Sequence, residues 1–200
     1  MRRNQKNRKE MIIQAAIGTF STKGFDASTI SDIAKKVGIA ESTIYEYFRG
    51  KEDILLSIPE DGMKKYLVSL DRHLGGVKGV DNKLRKIVWH LFDFYHNNKD
   101  YMYILLRELR ANPRFYKSHA YKLMKKYSQM IFNVIEEGKE EGVFDKNIDT
   151  KVLRAMITGG VDHLTLPLLM LNRPYKLMEK TEAFSDILIN ALTIKNRRNS

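Results

Sequence analysis

FSTKGFDASTISDIAKKVGIAESTIYEYFRGKEDIL, residues 20–55, decides the fold of this chain. Gly24 stands where a helix C-terminus favours a left-handed residue. Thr29 then opens ISDIAKKVG with Asp32 three residues on, a capping-box start with Asp in place of the usual Glu or Gln. Gly38 closes that helix, and Ala40 or Glu41 opens the next after a short turn. Two short helices at this spacing predict a helix-turn-helix. Just upstream, MIIQAAIGTFSTKG (11–24) sets Ile12, Ala15, Ala16, Thr19 and Phe20 on one stripe, which supplies the remaining helix of a small bundle.

At about 100° per residue, Ile44 and Phe48 share the inward face of the short second helix. Ser42 and Glu46 then point away from the bundle, with Thr43 and Tyr47 on one flank and Tyr45 on the other. A helix lying in the major groove shows its exposed N-terminal residues to base edges, while flanking hydroxyls and cations hold phosphates. Ser42 and Thr43 are small enough to approach the groove, and Tyr45 and Tyr47 can donate to phosphate. Thr29 and Lys51 stand at helix N-termini, which attract anions. The hydroxyls and tyrosines have a second reading, as solvated or packing groups. Glu41, in the first turn, stabilises the helix dipole by about 0.3–1 kcal/mol. Glu46 has three readings: accepting from cytosine N4, pairing with Arg49 or Lys51, or facing solvent.

The charge of the chain agrees with a polyanionic partner. Its 200 residues carry a formal net charge of +11 and a sequence pI near 9.7, which favours nucleic acid or an anionic membrane surface. Residues 1–51 hold ten Lys or Arg against five Asp or Glu, and residues 195–200 add three more positive charges, so the long middle of the chain is only +3. The absence of cysteine excludes disulfides, thiolate zinc sites and a Cys nucleophile, and fits a reducing compartment. The basic N-terminus has only a short, interrupted apolar stretch, unlike a signal peptide, so a cytoplasmic protein is expected. Residues 152–171 are apolar enough to suggest a membrane span. Arg154, Asp162, His163 and Pro167 argue for a buried helix instead, and no membrane partner is expected.

Apolar residues recur at three- and four-residue spacing along nearly the whole chain, and no alternating strand pattern occurs, so the fold class is all-α. From Lys51 a longer helix is predicted, broken or bent near Pro59 to Gly62. GGVKGVD (75–81) reads as an internal linker. Further helices are predicted at 82–97, 99–111, 115–141, 149–171 and 176–194, with breaks at Asn112-Pro113, Gly142 and Asn172-Arg173-Pro174, and a frayed basic tail.

Phe20, Gly24 and Phe25, then Thr29, Ile33, Ala34, Val37-Gly38, Thr43, Tyr45, Phe48, Lys51 and Glu52, together resemble the DNA-binding head of TetR-family transcriptional regulators. The match runs from Phe20 to Leu55, and chain length and helix count also fit the family. The resemblance implies a three-helix head, residues 1–51, on a six-helix ligand-binding and dimerisation body, residues 52–200. It implies a homodimer that binds a palindromic double-stranded operator and leaves it when a small apolar effector enters the body. It also implies DNA contacts by Thr29, Ser42, Thr43, Tyr45, Tyr47 and Lys51. Ala40, Glu41 and Ser42 depart from the usual family residues, which puts the operator sequence in doubt rather than the binding role.

In the body, Trp89, Phe92, Phe94, Tyr95, Tyr101 and Tyr103 lie on two consecutive predicted helices, with Tyr127, Met130 and Phe132 on the next. Such a stripe serves as core, and a bundle this rich in aromatics and methionine can also enclose an apolar ligand. LLRELRANPRF (105–115) and EEGVFDKNIDTKVLRAMITGGVDHL (140–164) are similar to the body of FadR-like members, which respond to long-chain acyl-CoA. That similarity makes Arg107 and Arg110 candidates for an acyl-CoA phosphate; salt bridges are their plainer role. The candidate effector residues are therefore Trp89, Phe92, Tyr95, Tyr103, Arg107, Arg110, Tyr127, Phe132 and Met156. The candidate dimer seam is Gly159, Gly160, Leu164, Leu168, Leu171, Phe184, Leu188 and Leu192, where the paired glycines permit close approach.

His90, Asp93 and Asn97 share a helix face at metal-ligand spacing, but a solvated or hydrogen-bonded polar face explains them, and no metal or cofactor is expected. No nucleophile motif, phosphate loop or carboxylate pair stands out, so no enzyme is expected. The rival function from another class is an all-α lipid or small-molecule carrier that uses its basic ends on anionic membranes.

Overall fold

In a computed structural model, described over residues 2–171 and 175–193 with side chains from residue 7 onward except Asp61, the chain is helical almost throughout. The helices are α1 (Arg2–Lys23), α2 (Ile30–Val37), α3 (Glu41–Tyr45), α4 (Lys51–Leu74), α5 (Val80–Asn97), α6 (Lys99–Ile104), α7 (His119–Glu140), α8 (Thr150–Met170) and α9 (Thr181–Leu192). A π-helical turn, Leu105–Leu109, prolongs α6, and 3-10 turns at Phe115–Lys117 and Leu177–Lys180 precede α7 and α9. The predicted all-α class stands; no strand occurs among the described residues. The predicted break at 172–174 and the basic tail lie outside the described residues.

The chain divides into two compact units, residues 1–64 with 100–123, and residues 65–99 with 124–200. The first unit forms around the stripe read on α1: Ile12, Ala16 and Phe20 are fully buried, with Ile33, Ile44 and Phe48. The capping box at the start of α2 is present: Asp32 N–H donates to Thr29 Oγ1 at 3.1 Å and Thr29 N–H to Asp32 Oδ2 at 3.0 Å. Gly38 ends α2 with φ 76°, the left-handed conformation that favours glycine.

α4 does not break at Pro59. It runs uninterrupted from Lys51 to Leu74, although an interior proline removes a helix hydrogen bond and costs about 3 kcal/mol or more. Packing on both sides of the proline opposes the break: Ile54, Leu55, Ile58 and Met63 are all buried. Tyr101 Oη also donates to the Pro59 carbonyl at 3.3 Å. Gly62 is not a breaker either, because a Cβ there would run into the Tyr101 ring.

The second unit buries Leu84, Ile87, Val88 and Phe92 of α5 with Ile131 and Ile135 of α7, Ile157 and Val161 of α8, and Leu192 of α9. Asp149 caps α8, accepting from Lys151 and Val152 N–H at 2.9 and 3.0 Å. After α7 the chain turns back so closely that Phe144, fully buried, lies against Gly138, where a Cβ would overlap its ring. Gly138→Ala is therefore expected to destabilise by about 1–3 kcal/mol through overpacking. A chemical-denaturation midpoint unchanged from the parent would contradict this packing.

Candidate DNA-reading surface and effector interior

In the first unit, α3 presents the expected faces. Ile44 is fully buried and Phe48 nearly so, while Glu41, Ser42, Tyr45 and Glu46 are exposed and Thr43 and Tyr47 half-buried. The large Tyr45 side chain is exposed at 55 %, which leaves it open to a phosphate or base. Thr29 is exposed at the start of α2, its hydroxyl shared with Asp32. The Lys23 ammonium, 2.6 Å from Asp32, together with the Thr29 bonds, holds the Asp32 carboxyl down at about 2, so the cap stays ionised.

Lys51 is committed to contacts within the chain. Its Nζ donates to three carbonyl oxygens, those of Phe25, Asp26 and Ser28, at 2.7, 3.1 and 2.9 Å, and lies 4.4 Å from the Phe25 ring centroid. All three ammonium protons are engaged within the chain. Lys51 holds the α1–α2 turn, and so positions Thr29.

Six of the predicted effector residues lie in the second unit, and they differ in burial. Phe92 is fully buried, edge-on to Phe184 at 5.6 Å. Tyr95 is buried and donates to Asp162 Oδ1 at 2.8 Å, and Tyr127 is buried beside Tyr66. Trp89 and Phe132 are half-buried, the Trp89 ring covered by Lys86 Nζ at 4.0 Å. Met156 departs from the expectation: it is 65 % exposed and lines no interior. Tyr66 and His90 are interior residues that the helical aromatic stripe did not single out as effector contacts. His90 faces inward onto Ser69 Oγ at 3.0 Å, while Asp93 takes a surface bond from Asn97 at 2.9 Å, so the three residues spaced like metal ligands do not converge.

Tyr103, Arg107 and Arg110 belong to the first unit. Arg107 Nη1 donates to Tyr103 Oη at 2.6 Å, and the exposed Arg110 stands nearby in sequence. They open a run that regional charge counting concealed: residues 107–126 hold seven Lys or Arg against the single Glu108.

The outer faces of α8 and α9 show which residues a partner can reach. Val152, Met156, Gly159, His163, Leu166 and Met170 follow one another at spacings of four and three along α8, all exposed, and Ile187 on α9 is 73 % exposed. Gly159 opens outward with nothing near its missing Cβ, whereas Gly160 is packed against Phe184 of the same chain. Leu171 is 48 % exposed, and Leu164, Leu168 and Phe184 are half-buried. Leu188 and Leu192 are buried inside the chain, which removes them from the predicted seam.

Residues 12–58 match the family model described as bacterial regulatory proteins, tetR family, and residues 60–191 match the model described as YsiA-like protein, C-terminal region. The chain belongs to the TetR family. It is a ligand-responsive, DNA-binding transcriptional regulator, and the carrier reading falls away. Among similar TetR-family proteins is the fatty acid metabolism regulator protein of Bacillus subtilis, 26% identical over 189 residues that cover 94% of this chain and 97% of that one. FadR from Bacillus subtilis, solved in complex with stearoyl-CoA, superposes with a TM-score of 0.83 at 25% identity, covering 91% of this chain and 98% of that one. FadR from Bacillus halodurans gives 0.82 at 25% identity, covering 96% and 97%. Among the described residues, no helix of this TetR-family chain is long and apolar enough to cross a membrane.

Proposed function

We propose that this regulator is a homodimeric repressor that binds a palindromic operator and releases it when a long-chain acyl-CoA occupies the second unit. The observation that carries the effector is the near full-length similarity to a FadR whose structure holds stearoyl-CoA. The aromatic interior of Phe92, Tyr95 and Tyr127 suits a long acyl chain. Residues 1–51 act as the reading head and 52–200 as the responsive body, in the cytoplasm and without catalysis. Two copies meet through the exposed stripe of α8 with Ile187 of α9, which sets the two heads on successive major grooves. The test is operator titration with and without long-chain acyl-CoA, the operator being selected from random-sequence duplexes.

Within this reading, Ser42, Thr43, Tyr45, Glu46 and Tyr47 form the DNA-facing surface with Thr29. Glu46→Gln is expected to change preference at one base pair per half-site by about 1–3 kcal/mol, because a carboxylate accepts from cytosine N4. Equal tightening on every sequence would show instead that Glu46 only repels phosphate.

A further inference from the structure

The interior of the second unit holds polar atoms that hydrocarbon packing does not explain. Tyr66 is almost completely buried on α4, with its ring against His90 at 4.6 Å, Phe94 at 4.7 Å and Tyr127 at 4.9 Å between centroids. The phenolic oxygens of Tyr66 and Tyr127 are shielded from solvent, and neither makes a hydrogen bond of good geometry. A bond between the two would use one phenolic proton and leave the other with no acceptor. His90 meets Ser69 through Nε2 at 3.0 Å, while its Nδ1 is buried without a partner. Burial first, and the neighbouring His73 second, bring His90 down to about 4, so its ring is neutral near pH 7 with one donor and one acceptor nitrogen. Burial raises both tyrosines above the ordinary phenol range, so both remain protonated. Buried polar atoms are nearly always bonded, and phenylalanine fills the same space without the penalty.

We propose that Tyr66, Tyr127 and His90 form a receptor for a hydrogen-bonding oxygen carried by the effector into the second unit. The unspent phenolic proton donates to that oxygen, and His90 Nδ1 meets a hydroxyl proton where the oxygen bears one. This rests on the acyl-CoA reading and narrows it. On an acyl-CoA the oxygen has two sources, the thioester carbonyl and a hydroxyl or keto group on the chain. A site built around such a bond discriminates strongly against ligands that lack the oxygen.

The test uses the full chain, its Tyr66→Phe and Tyr127→Phe variants, and probes of one chain length: palmitoyl-CoA, its thioether analogue without the carbonyl oxygen, and a set of monohydroxypalmitoyl-CoAs. Without ligand, each phenylalanine variant is expected to melt about 2–4 °C higher, since an orphan hydroxyl has been removed. In titrations at least one of the two variants binds the oxygen-bearing probe about tenfold more weakly than the parent does, equivalent to about 1.4 kcal/mol. Neither variant alters binding of the probe that lacks the oxygen. A parent that binds the thioether tenfold more weakly than palmitoyl-CoA assigns the carbonyl. Tighter binding of one hydroxylated chain assigns that position. Variants that bind every probe as the parent does, or a ligand-free melting point that fails to rise, overturn the inference alone. A parent that binds none of the probes overturns the acyl-CoA reading and the inference with it.

Discussion

Met156→Glu combined with Ile187→Glu yields a folded monomer whose operator affinity has fallen by about a hundredfold or more, since joining two heads multiplies affinity by roughly 10²–10⁴. The two side chains are 65 % and 73 % exposed in the single chain, so their replacement disturbs no interior packing. In a dimer each glutamate sits in an apolar seam with its charge stripped of water, which breaks the association. Circular dichroism is expected to match the parent. Analytical ultracentrifugation reports the loss of the dimer, and fluorescence anisotropy the loss of operator binding. A double variant that stays dimeric with parental affinity would remove α8 and α9 as the interface.

Lys51→Gln is expected to lower stability by about 2–3 kcal/mol, because a hydrogen bond to a charged group contributes about 1.5–3 kcal/mol net and three bonds here share one ammonium. The Phe25, Asp26 and Ser28 carbonyls lose their donor, and the turn that positions Thr29 loosens. Operator affinity falls on every sequence alike, while the dependence of affinity on salt keeps its slope. A Lys51 bound to phosphate gives the opposite signature, a slope shallower by about 0.9 for each phosphate no longer neutralised. A shallower slope with undiminished stability would restore Lys51 to the DNA surface.

Much of the reading head was legible because its determinants are local. Thr29 with Asp32, Gly38, and the one-turn spacing of Ile44 and Phe48 fix caps and faces within a few residues. The Lys51 contacts are not legible in the sequence because the carbonyls it serves lie 23 to 26 residues earlier, beyond the reach of a helix-terminus rule. Pro59 and Gly62 repeat the lesson, since Tyr101, which suits both, comes about forty residues later. On α8 and α9 two faces are apolar, and periodicity cannot say which is covered within the chain. Leu188 and Ile187 are adjacent in sequence, yet one is buried and the other is the most exposed large apolar residue on α9. Tyr66 is not legible as an interior polar group because it is the single tyrosine on α4, and only packing brings it to His90 and Tyr127.

Operator release by acyl-CoA tests the central claim most directly. Fluorescence anisotropy of the selected operator duplex, at low salt and protein concentrations where the chain is dimeric, is followed as palmitoyl-CoA is added. The expected result is tight sequence-selective binding that weakens at least about tenfold with acyl-CoA, about 1.4 kcal/mol of coupling. Free CoA is expected to have no such effect. A folded dimer that shows no sequence preference, or one whose operator affinity palmitoyl-CoA leaves unchanged, would contradict the account.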